Sequence, residues 1–182
     1  MSFFGNESLL ILPKFNSGLT FSLLKKELNW KQNQLKLFGR THNEPRLTAW
    51  FGPKYSYSSI KWEALPFPRF LQTALEKVSN TVDFNFNAAL INYYRDGSDS
   101  MGWHSDDEEE IDQSCIASLS FGEERRFLLR NRKDPKLKKE FLLKDNDLLL
   151  MNNLQKNWQH SIPKTTRPLS GRINITFRRI TD

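Results

Sequence analysis

His104 and Asp106 stand two residues apart in Trp103-His104-Ser105-Asp106-Asp107-Glu108. Residues i and i+2 of a strand or extended segment project from the same face, so this pair can offer an imidazole nitrogen and a carboxylate oxygen to one metal ion. Only three histidines are present, His42, His104 and His160. His160 follows the apolar run Asp147-Leu148-Leu149-Leu150-Met151 by a short connection and can return to the same pocket as a third ligand. Two imidazoles and a carboxylate with open positions suit a non-haem Fe(II) oxygenase. Zinc accepts the same donors plus a water, so the ligand set alone leaves the metal open. The plain alternative is a surface turn that leads into the acidic run Asp107-Glu108-Glu109-Glu110.

A second constellation closes the chain. Arg172-Ile173-Asn174-Ile175-Thr176-Phe177-Arg178 alternates without a break, with Arg172, Asn174, Thr176 and Arg178 on one face and Ile173, Ile175 and Phe177 on the other. An amphipathic edge strand is written the same way. If the polar face points into a barrel, however, two arginines with an amide and a hydroxyl between them make a receptor for a dicarboxylate, because guanidinium binds carboxylate as a bidentate fork.

The elements that must carry these groups are mainly strands. From Phe84 onward short strands are expected at Asn87–Tyr94, Cys115–Phe121, Arg126–Arg130, Glu140–Leu143, Asp147–Met151, around His160 and at Gly171–Ile180, joined by turns and not by helices, as in an antiparallel sandwich or barrel. Upstream, after an extended lead at Leu9–Pro13, Ser17 is the expected cap of a helix carrying Leu19, Leu23, Leu24 and Leu28 and ending near Trp30. Pro66-Phe67-Pro68 opens a second helix, with Pro68 in its first turn and an end by Asn80. Between the two, Leu35–Arg46 reads as a hairpin or projecting loop, with Phe38 and Arg40 near its tip placed to wedge or stack on bases and to meet phosphate. A core-facing Phe beside a surface Arg would look the same. The aromatic segment Leu47–Trp62 reads as a loop and strand pair that can line a pocket for a flat ligand.

At 182 residues with 38% hydrophobic residues, 14 Phe and 5 Trp, the chain is about one domain with enough apolar surface for a real core. The lone Cys115 excludes an internal disulfide framework and is expected as a buried thiol. No run approaches the length of a membrane span and no basic leader precedes an apolar stretch, so a soluble intracellular protein is expected, cytoplasmic in a bacterium and nuclear in a eukaryote. A formal charge of +6 favours a polyanionic partner, nucleic acid before membrane, and positive charge gathers between Arg125 and Lys139.

Taken together, Leu90-Ile91-Asn92-Tyr93-Tyr94 with Asp96-Gly97, His104-Ser105-Asp106-Asp107-Glu108, Ser118-Leu119-Ser120-Phe121-Gly122, His160-Ser161-Ile162-Pro163 and the terminal strand resemble the AlkB-type Fe(II)/2-oxoglutarate nucleic-acid dealkylases, in the family's order. The resemblance continues more weakly upstream through Leu37-Phe38-Gly39-Arg40, Phe51-Gly52 and Tyr55-Ser56-Tyr57-Ser58. It implies a double-stranded β-helix, or jelly roll, spanning residues 84–182, with N-terminal helices packed outside and a substrate-lid region within residues 1–83, in a single domain and a monomer. It further implies Fe(II) on His104, Asp106 and His160, and 2-oxoglutarate on Asn92, Tyr94, Arg172, Asn174, Thr176 and Arg178. In such enzymes O2 and 2-oxoglutarate are consumed, succinate and CO2 are released, and an N-methyl group of a base in DNA, such as 1-methyladenine or 3-methylcytosine, is hydroxylated and lost as formaldehyde. By the same resemblance Tyr55 and Tyr57 belong to the base pocket, Asp107 and Glu108 to its polar edge, Phe38, Gly39 and Arg40 to a wedging hairpin of the duplex-DNA branch, and Arg132 to the phosphate contacts. Three alternatives stay open: the same chemistry on RNA, protein or lipid, a zinc hydrolase, and a nucleic-acid binding module without catalysis.

Overall fold

The computed structural model describes the chain apart from Met1, Gly5, Phe38, Ser58, Ser59, Pro168 and Asp182, and apart from the side chains of residues 2–4, 35–37, 40, 56, 57 and 60. The first half holds strands β1 (Ser2–Phe4), β2 (Glu7–Leu12), β3 (Gln34–Leu37), β4 (Arg40–Asn43), β5 (Leu47–Phe51), β6 (Tyr55–Tyr57) and β7 (Ile60–Trp62), with helices α1 (Phe21–Glu27) and α2 (Arg69–Val82). The second half holds β8 (Ala88–Tyr94), β9 (Met101–His104), β10 (Ile116–Gly122), β11 (Arg125–Asn131), β12 (Lys138–Leu143), β13 (Leu148–Asn152), β14 (Trp158–Ile162) and β15 (Arg172–Arg178).

Two antiparallel sheets carry the fold. The major sheet runs β1-β2-β13-β10-β15-β8-β5 and the minor sheet β12-β11-β14-β9, with β3–β4 and β6–β7 as separate hairpins. Side chains from the facing sides meet in one apolar cluster, Leu90, Ile116, Leu149 and Met151 from the major sheet against Phe127, Leu129, Trp158 and Ile162 from the minor, the arrangement of a jelly roll. The other face of the major sheet presents Ile91, Leu119, Leu148, Ile173, Ile175 and Phe177 to the helices, which answer with Leu24 of α1 and Leu71, Ala74, Leu75 and Val78 of α2. The helices therefore pack outside the roll.

Several boundaries differ from the sequence reading, each for a local reason. Helix α1 is capped by Thr20, whose side chain accepts from the Leu23 N–H, and not by Ser17. Ser17 caps a tighter turn, accepting from Leu19 N–H at 3.2 Å, and Gly18 at φ 82° keeps helical geometry from starting there. Pro68 is the N-cap of α2 and not part of its first turn, and the helix runs two residues past Asn80 to Val82, where Asp83 takes the left-handed conformation. The major sheet also crosses the expected boundary at residue 84: β1 and β2 join it through β13, and β5 joins it through β8.

Candidate metal and dicarboxylate site

Between the sheets, cross-strand register sets polar side chains of the major sheet in rows. Directly opposed residues of an antiparallel pair share a face. Tyr94 lies opposite Arg172, Asn92 opposite both Thr48 and Asn174, Asn174 opposite Ser120, and Thr176 opposite Ser118. Arg172, Asn174, Thr176 and Arg178 all line the resulting cavity together with Asn92 and Tyr94. The alternation in the last strand therefore sorts as expected, apolar side to the helices and polar side to the cavity.

The minor sheet supplies the imidazoles. His104 ends β9 directly opposite His160 of β14, and their ring centroids are 4.1 Å apart. Two residues past the strand end, Asp106 crosses the gap towards β15, where Arg178 Nη2 donates to its Oδ1 at 2.7 Å. One donor atom from each of His104, Asp106 and His160 lies within 4.8 Å of the others. Groups around the three hold them in place. His104 Nδ1 meets the Gly102 carbonyl at 2.9 Å, which as an N–H donor leaves Nε2 free to ligate. Ser105 Oγ donates to Trp158 O, and Gln155 accepts from the Asp106 N–H at 3.1 Å. His160 stacks on Phe127.

Electrostatics prepare the triad for a divalent cation. Burial pushes both imidazoles towards the neutral form, His160 to about 3 and His104 in the same direction. Burial alone would raise Asp106, but the Arg178 guanidinium, by charge and hydrogen bond, together with the His160 and His104 rings outweighs it and the carboxyl sits at about 2. The donor set is thus deprotonated at neutral pH, as metal binding requires. Asp106 Oδ2 is buried without a hydrogen-bond partner among the described residues, an orphan that a metal ion would satisfy. Two nitrogens, one carboxylate and room for further ligands fit Fe(II).

The arginines show a complementary deficit. Arg172 is 2% exposed. It donates from Nη2 to Ser120 Oγ at 2.9 Å and lies over the Tyr94 ring, yet among the described residues its Nε and Nη1 have no hydrogen-bond partner, nor do Nε and Nη1 of Arg178. Desolvation lowers Arg172 to about 10. A buried guanidinium with idle donors costs free energy unless an anion meets it, and a small dicarboxylate would meet both. Asn174 gives its Nδ2 to Ser118 Oγ at 2.7 Å and accepts from Thr176 Oγ1 at 3.0 Å, so the row between the arginines is already ordered.

The substrate-side residues separate. Tyr55 is buried and stacked on Trp50 at 4.9 Å between centroids. Burial, with Glu108 and Asp106 nearby, raises its phenol, and burial likewise raises Glu108. Both feel the charges of Asp106 and Arg178, although neither lines the cavity. Asp107 is exposed and paired with Arg132 at the surface, and neither lines the cavity. Gly39 forms an exposed turn at φ 75° between β3 and β4. Phe38 and the side chains of Arg40 and Tyr57 lie outside the described residues. Cys115 is buried, with burial raising its thiol to about 11.

The sequence reading left one charged cavity residue unassigned. Arg46 lines the cavity and donates from Nε to Asn92 Oδ1 at 2.7 Å. Its signal was the alternation Glu44, Arg46, Thr48 entering β5, all three buried.

Residues 11–178 match the 2OG-Fe(II) oxygenase superfamily. The chain belongs to that superfamily, and Fe(II), 2-oxoglutarate and O2 are the cofactor set of the class. Among proteins it is similar to, the alpha-ketoglutarate-dependent dioxygenase alkB homolog 3 of Mus musculus is 38% identical over 172 residues, covering 86% of this chain and 59% of that protein. The DNA oxidative demethylase ALKBH2 of Homo sapiens is 35% identical over 186 residues, covering 94% and 71%. The chain thus spans under two thirds of the length of the alkB homolog 3 relatives. The solved structure of OsALKBH1 superposes with a TM-score of 0.66 at 15% identity, covering 94% of this chain and 97% of that one, and supports the jelly-roll fold.

Proposed function

We propose that the protein oxidatively demethylates N-alkylated bases in DNA, such as 1-methyladenine and 3-methylcytosine. The observation that carries the reading is the paired deficit in the cavity: an orphaned Asp106 oxygen on one side and four idle guanidinium N–H-bearing atoms of Arg172 and Arg178 on the other.

His104, Asp106 and His160 would hold Fe(II), and Asn92, Tyr94, Arg172, Asn174, Thr176 and Arg178 would hold 2-oxoglutarate. Iron held there would supply O2 activation, with one oxygen atom going to 2-oxoglutarate as it becomes succinate and CO2 and the other to the N-methyl group, which would leave as formaldehyde. Arg178 serves both partners: one N–H holds Asp106 and the others await a carboxylate. Arg172, with no counter-ion among the described residues, fixes the far end of the dicarboxylate. Leu90, Met101, Phe127 and Ile162 wall the cavity and keep water from the reacting methyl.

DNA is favoured by the similarity to the DNA oxidative demethylase ALKBH2, by the net charge of +6 and by the exposed run Lys133, Lys136, Lys138 and Lys139. Such a base must leave the stack, which costs less when its pairing edge is blocked. Tyr55 and Glu108, which share the electrostatic surroundings of Asp106 and Arg178, would receive it. The experiment is an oligonucleotide bearing one 1-methyladenine, incubated under air with Fe(II), 2-oxoglutarate and ascorbate, with the methyl mass followed and His104→Ala as control. Loss of the methyl in the wild type alone supports the reading. Succinate without demethylation moves the substrate elsewhere, and an RNA version of the oligonucleotide ranks the two nucleic acids.

A further inference from the structure

Arg46 links the cavity to a part of the molecule that no cavity ligand touches. It is 2% exposed and lies just before β5. Its Nε holds Asn92 Oδ1 at 2.7 Å and its Nη2 holds Glu44 Oε1 at 2.9 Å. Glu44 is itself 1% exposed and lines no part of the cavity. Its second oxygen accepts from Asn33 Nδ2 at 2.8 Å, and the same amide reaches Thr48 Oγ1 at 2.8 Å. Backbone bonds close the same ring: Glu44 N–H to Asn33 O at 2.8 Å and Thr48 N–H to Lys31 O at 2.8 Å. Asn33 and Glu44 flank β3 and β4, so the carboxylate that holds Arg46 also closes the base of that hairpin.

We propose that Arg46 and Glu44 are positioning residues that couple the co-substrate pocket to the base of the β3–β4 hairpin. With its oxygen held by Arg46, Asn92 has its amide N–H donors for whatever fills the pocket it lines. A buried ion pair is weak evidence for stability, since apolar side chains of similar volume hold as well. The planar fork of Arg46 does something they cannot, which is to fix Asn92 and Glu44 in one geometry, and Glu44 carries the tie on to Asn33. Coupling of this kind is reciprocal: a ligand that orders Asn92 orders the hairpin base, and disturbing the hairpin base weakens that ligand. The inference rests on the co-substrate reading above.

The test is calorimetric titration of 2-oxoglutarate into Mn(II)-loaded protein, with amide exchange at Glu44 and Thr48 followed with and without 2-oxoglutarate. In the wild type, 2-oxoglutarate slows exchange at both amides. Glu44→Gln keeps the shape but loses the charge and one acceptor. It raises the 2-oxoglutarate Kd by roughly tenfold, abolishes the added protection and leaves Mn(II) affinity unchanged. Asn33→Ala, outside the cavity, shifts both readouts the same way by less, and keeps the test decisive if Glu44→Gln folds poorly. Wild-type Kd and protection in folded variants would overturn the coupling. So would a wild type that binds 2-oxoglutarate without any change at Glu44 and Thr48. A wild type that takes up no 2-oxoglutarate would remove the co-substrate reading and the coupling with it.

Discussion

Along β15, Ile173, Ile175 and Phe177 on one side and Arg172, Asn174, Thr176 and Arg178 on the other are all 7% exposed or less, but only the first set has every contact it needs. The outer face of the major sheet is closed against α1 and α2 by apolar packing. The inner face keeps Nε and Nη1 of Arg172 and Arg178 buried without partners among the described residues, and Asp106 Oδ2 adds an orphan from the loop after β9 that lines the same cavity. The difference teaches that burial here does two jobs: on one face it stabilises the fold, and on the other it dehydrates groups whose partners come from outside the chain.

Substitutions should separate the two faces. The largest effect is expected from His104→Ala, which should abolish turnover and Mn(II) binding while the melting temperature of the metal-free protein stays near that of the wild type. On the outer face, Ile175→Ala should cost roughly 2–5 kcal/mol of stability in denaturant unfolding and leave the 2-oxoglutarate Kd of the folded protein unchanged. On the inner face, Arg172→Met should reverse that pattern. It removes an uncompensated buried charge, so the ligand-free protein should be at least as stable, while 2-oxoglutarate binding weakens by about 1.5–3 kcal/mol for a lost charged hydrogen bond, or more than tenfold.

Acid should act on the inner face as well, and more gently. His160 sits at about 3 against an ordinary 6.5, so between those values the unfolded chain binds a proton that the folded one refuses. Stability is then present above pH 6.5 and lost as pH falls through that window. His104 is shifted in the same direction, and Asp106, at about 2 against 3.8, adds to the loss only below pH 3.8. The metal-free melting temperature should fall between pH 7 and pH 5, and fall less steeply in His160→Asn.

How much of this was legible in the sequence follows from distance along the chain. The strand period alone placed His104 with Asp106 and sorted the alternating residues of β15, because each pattern is complete within seven residues. The Arg46–Asn92 contact spans 46 positions and depends on β5 pairing with β8, which no local pattern announces. The same holds for β2, read as an extended lead, whose partner β13 lies far along the chain. Helix starts slipped where a neighbouring polar residue offered an equivalent cap, as Ser17 and Thr20 did. The sequence alone assigns Asp107 to the polar edge of the base pocket and Arg132 to the phosphate contacts, and it gives no sign that the two pair with each other at the surface, a contact between residues 25 positions apart.

The most direct test of the account is a titration of 2-oxoglutarate into the Mn(II)-loaded protein, run on wild type, Ile175→Val and Arg172→Met. One site per chain that survives Ile175→Val and is lost or severely weakened in Arg172→Met is the predicted result. No uptake by the wild type, or uptake indifferent to Arg172→Met, would contradict the claim that the inner face of the major sheet is built to be completed by a dicarboxylate.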